Sequence, residues 1–384
     1  MKTILKYSVG NDIAKDKFDS CISIIDSEQK VTVKATRSFS NTEGGIKSFI
    51  AWVKKHIKHD HPVVFNMEAT GIYYEKLALA LYEEDFYVSV VLPNKAKKYI
   101  QSVGYKSKND KIDSIGLSRM GAEQNQERWM PFSKSIYQLR ILTRQNEDLQ
   151  EQKTVLLNRK EAYSFCQYKS NIVSQQLDTM LNLINKQITQ VNKEIIKLIE
   201  QDMILKDKVD KICKIKGVGI LTIATIIAET NGFYLFKNQR QLVSYAGYDV
   251  IEDKSGKRTG KTKISKKGNS HIRRALHMPA FNVVRYDQGT FKALYERVYS
   301  RSKLKMKSYV AVQRKLLVLI YTLWKNNIEF DPNYHKTSGN DEPKLLFSLG
   351  FEKAAQKIVP EQCSRTTQDE LPCNESPEVL FSLP

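Results

Sequence analysis

The sequence predicts an α/β domain at the amino terminus, a helical coiled-coil spacer, and a mainly helical carboxyl-terminal domain. Short runs that alternate apolar and polar residues fill the first third of the chain, and apolar residues at helical spacing are interleaved with them. A heptad pattern occupies the middle. With 384 residues, of which 41% are hydrophobic, the chain can build more than one core. We therefore predict domains at 1–130, 131–208 and 209–328, and a polar tail at 329–384 whose order the sequence does not predict.

The first third contains strands before it contains helices. Three strands joined by short connections are predicted to form an antiparallel meander: 4–13, 18–25 and 31–39. Helices and strands then alternate: a helix capped by Asn41 or Thr42, strand 63–67, helix 72–84, strand 87–92, helix 94–103 and a helix from Asp110. This order is the one that a ribonuclease H-like fold requires.

Four acidic residues lie at the ends of these elements. Asp12 is near the end of the first strand, Glu68 ends the fourth, and Asp110 and Asp113 are one helical turn apart. Functional groups of open α/β sheets gather at the carboxyl ends of strands, so the four can face one crevice. Crowded carboxylates repel each other unless a cation balances them, and their oxygens suit Mg²⁺ or Mn²⁺. Taken singly, each has an ordinary explanation as a cap or a lysine partner.

The charge of the chain indicates its class of partner. Lys and Arg number 61 against 42 Asp and Glu, a formal net charge of +19. This excess favours nucleic acid. The longest aliphatic run, 316–324, is too short to span a bilayer, and the amino terminus becomes polar before a signal-peptide core forms, so no membrane partner is expected. The five cysteines form no CxxC pair, which indicates reduced thiols and no zinc site.

The middle of the chain carries two heptad seams. The stronger one steps alternately by four and three residues from Leu177 to Leu198, and the weaker one runs from Leu139 to Leu156 with Asn146 at an apolar position. They predict an antiparallel hairpin or an intermolecular coiled coil. We interpret the region as a spacer and oligomerisation element.

Two features of the second domain indicate contact with phosphates. Gly217 and Gly219, just before an apolar helix, would let backbone N–H groups face a phosphate as in helix-hairpin-helix modules, or would form a tight packing turn. The segment 242–276 then interleaves glycine and serine with many cations: Lys254, Lys257, Arg258, Lys261, Lys263, Lys266, Lys267, Arg273 and Arg274. A phosphate-backbone contact surface is the favoured interpretation of these cations and of Lys106 and Lys108, which precede Asp110.

Within the basic segment, Ser255 and Ser265 are candidate nucleophiles. A serine beside Lys or Arg can attack a phosphodiester if its proton is removed or a metal activates the phosphate. Most serines in basic loops only make hydrogen bonds, so the residues alone do not select either one.

Together these motifs resemble a known family over about residues 1–325. The segments GNDIAKDKFD, MEATGIYY and KNDKIDS, followed by KGVGILTIATIIAE, YAG, SGK and ISKKGNSHIRRAL, are similar to DEDD-type insertion-sequence transposases of the one-ten family. These are relatives of the Piv DNA invertases and include bridge-RNA-guided recombinases. The chain departs from the family pattern at Asn11, where an aliphatic residue is usual, and at Tyr248-Asp249, which replaces Leu-x-Pro.

The resemblance implies a role for each motif. It implies that Asp12, Glu68, Asp110 and Asp113 are the metal-binding carboxylates of a RuvC-like domain, with Mg²⁺ as the cofactor. It implies that Ser255 is the nucleophile that links covalently to DNA. Ser265 is the alternative, because its position resembles that of a serine that contacts the substrate in relatives. It also implies donor and target DNA, a non-coding bridge RNA, a homo-oligomer (dimer or tetramer), and a bacterial cytoplasmic protein associated with the nucleoid.

The sequence therefore predicts a transposase that cuts and rejoins DNA through a metal-assisted serine, guided by a structured RNA. Two other hypotheses fit the same residues. One is a RuvC-like junction nuclease in which water attacks the phosphate, and the other is a nucleic-acid-binding protein without catalytic activity.

Overall fold

The computed structural model describes residues 3–58, 60–69, 71–105, 109–252, 254–255, 258–260, 263–286 and 290–331, with the backbone alone at 254–255 and 258–259. Two compact units divide the chain, Met1–Ser133 and Lys134–Pro384. Four of the predicted phosphate contacts and most of the predicted tail lie outside the described residues: Lys106, Lys108, Lys257, Lys261 and 332–384. Across the described helices, none combines the length and the apolar character needed to cross a membrane.

The first unit follows the predicted order of elements. Its strands and helices are β1 Ile4–Ile13, β2 Lys17–Asp26, β3 Val31–Ser40, α1 Glu43–His56, β4 Val63–Glu68, α2 Glu75–Glu83, β5 Tyr87–Val91, α3 Pro93–Ser102 and α4 Asp110–Glu123. Thr42 caps α1, because its hydroxyl accepts from the N–H of Gly45 at 3.3 Å. The helix predicted from residue 72 begins three residues later, after a turn at 71–74.

The five strands form one mixed sheet in the order β3-β2-β1-β4-β5. β1, β2 and β3 are antiparallel neighbours, as the predicted meander requires, whereas β4 is parallel to β1 and β5 is parallel to β4. The parallel strands need crossover connections, and α1 and α2 provide them. The prediction of an α/β domain is thus confirmed.

Aromatic side chains hold α1 against the sheet. Phe49, fully buried on α1, makes edge-to-face contacts with Phe18 of β2 and Phe39 of β3, each with ring centroids 5.3 Å apart. Ile46 and Val53 of α1 are also buried, which accounts for the apolar stripe in the sequence. This core lies on one face of the sheet and leaves the carboxyl ends of the central strands for other residues.

The second unit is mainly helical. Its elements are α5 Lys134–Ser164, α6 Asn171–Glu200, α7 Met203–Cys213, α8 Ile220–Thr230, α9 Gln239–Tyr245, β6 Val250–Ile251, β7 Lys254–Ser255, β8 Arg258–Thr259, β9 Lys263–Ile264, α10 Ser270–Ala275, α11 His277–Arg285, α12 Phe291–Ser302 and α13 Lys305–Asn326. One hydrophobic core contains residues of α8 and α13, which include Ile223, Ile227 and Leu316. After the basic segment the sequence predicts one helix with a basic start over 271–284. The structure has two helices there, α10 and α11, separated at Leu276.

The two heptad seams pack against each other as a hairpin within the chain. Leu149 and Leu156 of α5 share a buried cluster with Leu181, Ile184 and Ile188 of α6. At the far end Lys160 pairs with Asp178, and at the near end Leu139 lies in one core with Ile195 and Ile199. The pairing is therefore antiparallel, and of the two predicted arrangements the structure contains the intramolecular one.

Two asparagines of this hairpin have buried amide oxygens. Asn146 occupies an apolar position of the α5 seam, and Asn192 flanks the α6 seam beside Val191. The Oδ1 atom of each is buried and has no hydrogen-bond partner among the described residues. An amide oxygen left without a partner in this way lowers the stability of the hairpin.

Replacing both Asn146 and Asn192 with leucine is expected to raise the free energy of unfolding by about 1–3 kcal/mol, because a buried unsatisfied amide costs about that much. The measurement is the urea midpoint at unchanged m-value. The matched control is Asn185→Leu on the exposed face of α6, which should stay within about 0.5 kcal/mol. A fall in the midpoint of the double variant would mean that the amides are satisfied by buried water.

Candidate functional site

Asp12 and Glu68 lie on neighbouring parallel strands of the first unit. The register pairs Asn11 of β1 with Met67 of β4, so the residue after each of these is a carboxylate. Both side chains therefore stand at the same edge of the sheet, where the carboxyl ends of β1 and β4 meet. Asn11, which precedes Asp12, is fully buried and accepts a hydrogen bond from the Ser20 hydroxyl at 2.8 Å.

Helix α4 brings Asp110 and Asp113 to the same edge by packing very closely on the sheet. A Cβ atom on Gly10 of β1 would lie 2.1 Å from the backbone nitrogen of Ser118, so only glycine permits this approach. The Asn66 side chain donates to the Leu117 carbonyl at 2.9 Å. Asn109 caps the helix by accepting from Ile112 N–H at 2.8 Å, which places Asp110 and Asp113 in the first turn.

The electrostatics of Asp12 show that the carboxylates converge. Burial, followed by the charges of four other carboxylates, raises the pKa of Asp12 to about 6: Asp113, Asp110, Glu68 and Asp19. Within the described part of the chain, no three His, Cys, Asp or Glu side chains are yet arranged to hold a metal ion. The four predicted acids are thus gathered around Asp12, without a formed coordination geometry.

Two further residues of this cluster were not identified from the sequence. Asp19 of β2 is the register partner of Asp12, and Lys17 lies 3.4 Å from the Asp19 carboxylate and 3.2 Å from that of Asp110. A hydrogen bond with Asp110, followed by the charge of Asp19, raises the pKa of Lys17. The short connection between β1 and β2 was the signal, because in a tight antiparallel hairpin residues equidistant from the turn face each other.

In the second unit, Ser255 lies next to the reversal of a small hairpin. The backbone of β7 pairs with β8 so that Ser255 is opposite Arg258, and the preceding β6 pairs with β9. The predicted cations Lys254 and Lys263 also belong to these strands. Ser255 and its basic neighbours therefore lie near the end of a two-stranded arm.

Ser265, by contrast, lies at the base of this arm and takes part in its fold. Its hydroxyl donates to the Gly247 carbonyl at 3.2 Å and accepts from the Lys267 N–H at 3.3 Å. Gly247 has φ +75°, and a Cβ there would lie 2.8 Å from the Arg273 guanidinium. The Ser265 hydroxyl thus has a structural function.

The predicted phosphate contacts differ in what they touch. Arg273 Nη1 donates to the carbonyls of Ala246, Gly268 and Asn269, and Arg274 pairs with Glu147 and Glu151. Lys266 and Lys267 are exposed. Phosphate contacts by these two lysines and two arginines remain predictions. The two arginines also stabilise the base of the arm.

The glycine turn before α8 packs closely against a neighbouring helix. A Cβ on Gly217 would lie 2.6 Å from Asn282 of α11, so Gly217 sits in a packing turn between α7 and α8. Gly219 precedes the first turn of α8 and has open space around it. Phosphate binding at this turn stays a prediction.

A buried carboxylate, Glu229, connects α5 and α8 to the base of the arm. Arg144 of α5 contacts it with two hydrogen bonds of 2.7 and 3.0 Å, and Asn269 donates to it at 2.7 Å. Burial alone would raise the pKa of Glu229, but the Arg144 hydrogen bond and the Arg140 charge lower it below the ordinary value. Asn269 also caps α10, so the network positions the segment that follows the serine arm.

Glu229→Leu is expected to lower the free energy of unfolding by about 3 kcal/mol, because it leaves Arg140 and Arg144 without their buried partner. This value is at the low end of the costs known for breaking a buried ion pair, because Arg144 reaches solvent. Urea unfolding measures the change. The matched control is Glu151→Gln, an exposed carboxylate paired with Arg274, which should cost less than 1 kcal/mol. Equal costs would contradict a special role for Glu229.

Two family models match this chain. One, described as Transposase, matches residues 9–163, and one described as the Transposase IS116/IS110/IS902 family matches residues 209–296. The first match contains all four carboxylates and the second contains Ser255.

Known proteins that are similar to the chain agree with these models. Pilin gene-inverting proteins of Moraxella bovis and Moraxella lacunata are each 30% identical to it over 332 residues, which is 86% of this chain and 99% of each relative. Among solved structures, RuvC of T. thermophilus in complex with a Holliday junction substrate covers 30% of this chain and 93% of its own at 9% identity and a TM-score of 0.25. A TM-score of this size carries no information on the fold of this chain. The chain therefore belongs to the IS116/IS110/IS902 family of transposases, and the resemblance that its motifs predicted is confirmed.

Proposed function

We propose that the protein is the transposase of an insertion sequence and that it cuts and rejoins DNA through a metal-assisted serine nucleophile. The convergence of acids around Asp12 is the observation that carries this proposal. A carboxyl group with a pKa near 6, crowded by four other carboxylates, lies in a site with excess negative charge. Such a site favours a divalent cation. The order β3-β2-β1-β4-β5, with α4 over the strand ends, supports the assignment of the first unit as a RuvC-like domain.

The carboxylates fit Mg²⁺ or Mn²⁺ by their chemistry. Their oxygens are the hard ligands that these ions prefer, and Asp12, Glu68, Asp110 and Asp113 would hold the ions. Lys17 already supplies positive charge to Asp110 at 3.2 Å, so ion binding competes with this pair and requires the carboxylates to turn toward one another. When bound, the metal withdraws negative charge from the scissile phosphate.

Ser255 is the nucleophile in this proposal. Its oxygen bonds to the phosphorus, the bond from the phosphorus to one DNA oxygen breaks, and the serine proton reaches that departing oxygen by way of solvent. A serine–phosphate–DNA diester thereby replaces the DNA phosphodiester. The energy of the bond is conserved, so a DNA hydroxyl can later displace the serine and rejoin the strand. Lys254, Lys257 and Arg258 stabilise the negative charge that develops during the attack. The place of Ser255 beside the reversal of a basic arm supports this role.

The same proposal assigns the partners. Donor and target DNA are the substrates, and a non-coding bridge RNA guides their choice. In a homo-oligomer, a dimer or tetramer, the RuvC-like domain of one subunit completes the site of another subunit's serine arm. The net charge of +19 and the name of the pilin gene-inverting relatives support a polyanionic partner and an exchange of DNA strands. The proposed location is the bacterial cytoplasm, at the nucleoid.

A nicked suicide substrate tests the chemistry. With Mg²⁺ or Mn²⁺ the wild-type protein should form a protein–DNA adduct that survives SDS and disappears after protease treatment, whereas EDTA should prevent it. Cleaved DNA without an adduct would favour a RuvC-like nuclease that uses water. Binding without cleavage or adduct would favour a nucleic-acid-binding protein.

The guide is tested separately by sequencing the RNA that co-purifies with the protein from its native host. A discrete RNA encoded beside the transposase gene supports guided recombination. Bulk RNA without enrichment contradicts it and leaves the serine chemistry unaffected.

A further inference from the structure

Four aromatic rings form a continuous row across three helices of the second unit, which we call the tyrosine ladder. Phe281 of α11 stacks on Tyr309 of α13 with centroids 3.8 Å apart, Tyr309 contacts Tyr295 of α12 at 4.6 Å, and Tyr295 lies nearly parallel to Tyr299 at 6.0 Å. Tyr299 is the last ring of the row. Neither the family motifs nor the acidic cluster includes these residues.

The rings of this ladder are half-buried. Phe233, Phe291 and Tyr321 are almost completely buried in the core. Next to the ladder, Leu304 is 60% exposed and Met306 is 51% exposed. Tyr295 packs against the core with part of its ring, and part of the aromatic surface of the ladder remains exposed to a partner.

The surroundings of the ladder are strongly basic. Between residues 291 and 307 the only acidic side chain is Glu296, whereas six side chains are cationic, all of them on exposed residues: Lys292, Arg297, Arg301, Lys303, Lys305 and Lys307. Lys292 lies three residues before Tyr295 and Lys305 four before Tyr309, so each shares a helix face with a ladder tyrosine. The partner must combine negative charge with flat apolar groups.

We propose that the tyrosine ladder binds a single strand of nucleic acid, with unpaired bases stacked on Tyr295 and Tyr299 and phosphates held by the surrounding Lys and Arg side chains. Base–aromatic stacking with a cationic groove is the general chemistry of single-strand binding. A duplex keeps its base faces covered, and an acidic protein has few flat groups to stack. The inference deepens the proposed function, because it names a strand contact that is separate from the acidic cluster and from Ser255.

The test is fluorescence anisotropy with labelled oligo-dT, oligo-U and duplex DNA of equal length, in EDTA. Tyr299→Ala should weaken single-strand binding about tenfold and leave duplex binding within about twofold, since each stacked base contributes most of an order of magnitude or more. Tyr299→Phe, which keeps the ring, should bind like wild type. The matched control is Tyr234→Ala, an 83% exposed tyrosine of the same unit outside the ladder, which should also bind like wild type.

The relative loss on oligo-dT and oligo-U identifies the strand as DNA or RNA. Equal binding by the Tyr299 and Tyr234 variants, or an equal loss on duplex, would overturn the inference. So would a Tyr299→Ala variant that loses binding to anionic vesicles and keeps its binding to single strands. If Tyr299→Ala does not fold, Tyr299→Leu retains most of the apolar volume and should show the same loss.

Ultraviolet cross-linking of wild type should attach a nucleotide to Tyr295 or Tyr299, and cross-links confined to other peptides would refute the ladder. The binding assay is run in EDTA and the adduct assay with metal, so their results are independent. Failure of the wild type to bind single strands contradicts the ladder, whereas its failure to form adducts contradicts the proposed function.

Discussion

Ser255→Ala is expected to abolish the covalent protein–DNA adduct while nucleic-acid binding stays within about twofold of wild type. Without the hydroxyl there is no oxygen to replace the departing DNA oxygen, so strand exchange stops at the first step. The cations around Ser255 remain, and they supply most of the affinity for the phosphate backbone. The measurement is the SDS-resistant adduct on a nicked substrate with Mg²⁺, alongside electrophoretic mobility shifts.

The matched control for this experiment is Ser265→Ala. The Ser265 hydroxyl bonds to the Gly247 carbonyl and the Lys267 N–H, so its loss should cost about 1 kcal/mol of stability and leave the adduct in place. Adducts that persist in Ser255→Ala but vanish in Ser265→Ala would transfer the nucleophile to Ser265. Adducts that persist in both variants would exclude the two serines together.

Asp12→Asn is expected to have opposite effects on catalysis and on stability. Cleavage should fall at least about a hundredfold, because even outer-shell partners of a metal site cost 10–100-fold when removed. In the metal-free protein, however, the carboxylate of Asp12 is unfavourable. Its folded-state pKa near 6 lies about two units above the ordinary value of 3.8, which corresponds to at most about 3 kcal/mol, and solvent screening makes 1–3 kcal/mol the expected gain.

The sign of the pH dependence follows from the raised pKa. Between about pH 4 and pH 6 the folded state retains a proton on Asp12 that the unfolded state has released, so the stability of the wild type falls as the pH rises through this interval. Asp12→Asn removes this loss. Its gain in Tm over wild type, measured in EDTA, should therefore be larger at pH 7.5 than at pH 4.

With Mg²⁺ added, the wild type should have the higher Tm, because the ion stabilises the wild type and has fewer ligands in the Asp12→Asn variant. The matched control is Asp85→Asn, a 92% exposed carboxylate of the same unit, which should change neither cleavage nor Tm by a measurable amount. A lower Tm for Asp12→Asn in EDTA would show that Asp12 makes a favourable contact instead of facing other carboxylates.

Local signals in the sequence were sufficient for most elements of the first unit. Thr42 and Pro93 mark where α1 and α3 begin, and the alternation in 4–13 predicts β1 with the bounds that the structure has. The start of α2 was placed three residues early because the turn at 71–74 has no strong breaker after Gly71. The single helix over 271–284 was wrong because it overlooked Pro279, which has no N–H to donate to the Ala275 carbonyl and so disfavours a continuous helix through Leu276.

The interpretation of polar and aromatic residues depended more on tertiary contacts. Glu229 was not identified as a functional residue because the segment 214–229 is mostly apolar. Its two arginine partners also come from α5, 85 or more residues earlier in the chain. Charge alone predicts phosphate contacts for Arg273 and Arg274. It does not reveal that Arg273 donates to backbone carbonyls or that Arg274 pairs with glutamates. The tyrosine ladder joins three helices whose contacts the sequence does not show.

By itself, the sequence determined the order of strands and helices, the positions of the four acids at their ends, and the family to which the chain belongs. These properties are local or are carried by ordered motifs, so no knowledge of packing is needed. Only the tertiary structure decided that the acids converge on Asp12 and that Asp19 and Lys17 join them. The reason is the close approach of α4 to Gly10 and the register of β1 with β2, because the electrostatic coupling of charges depends on distances between residues far apart in the chain.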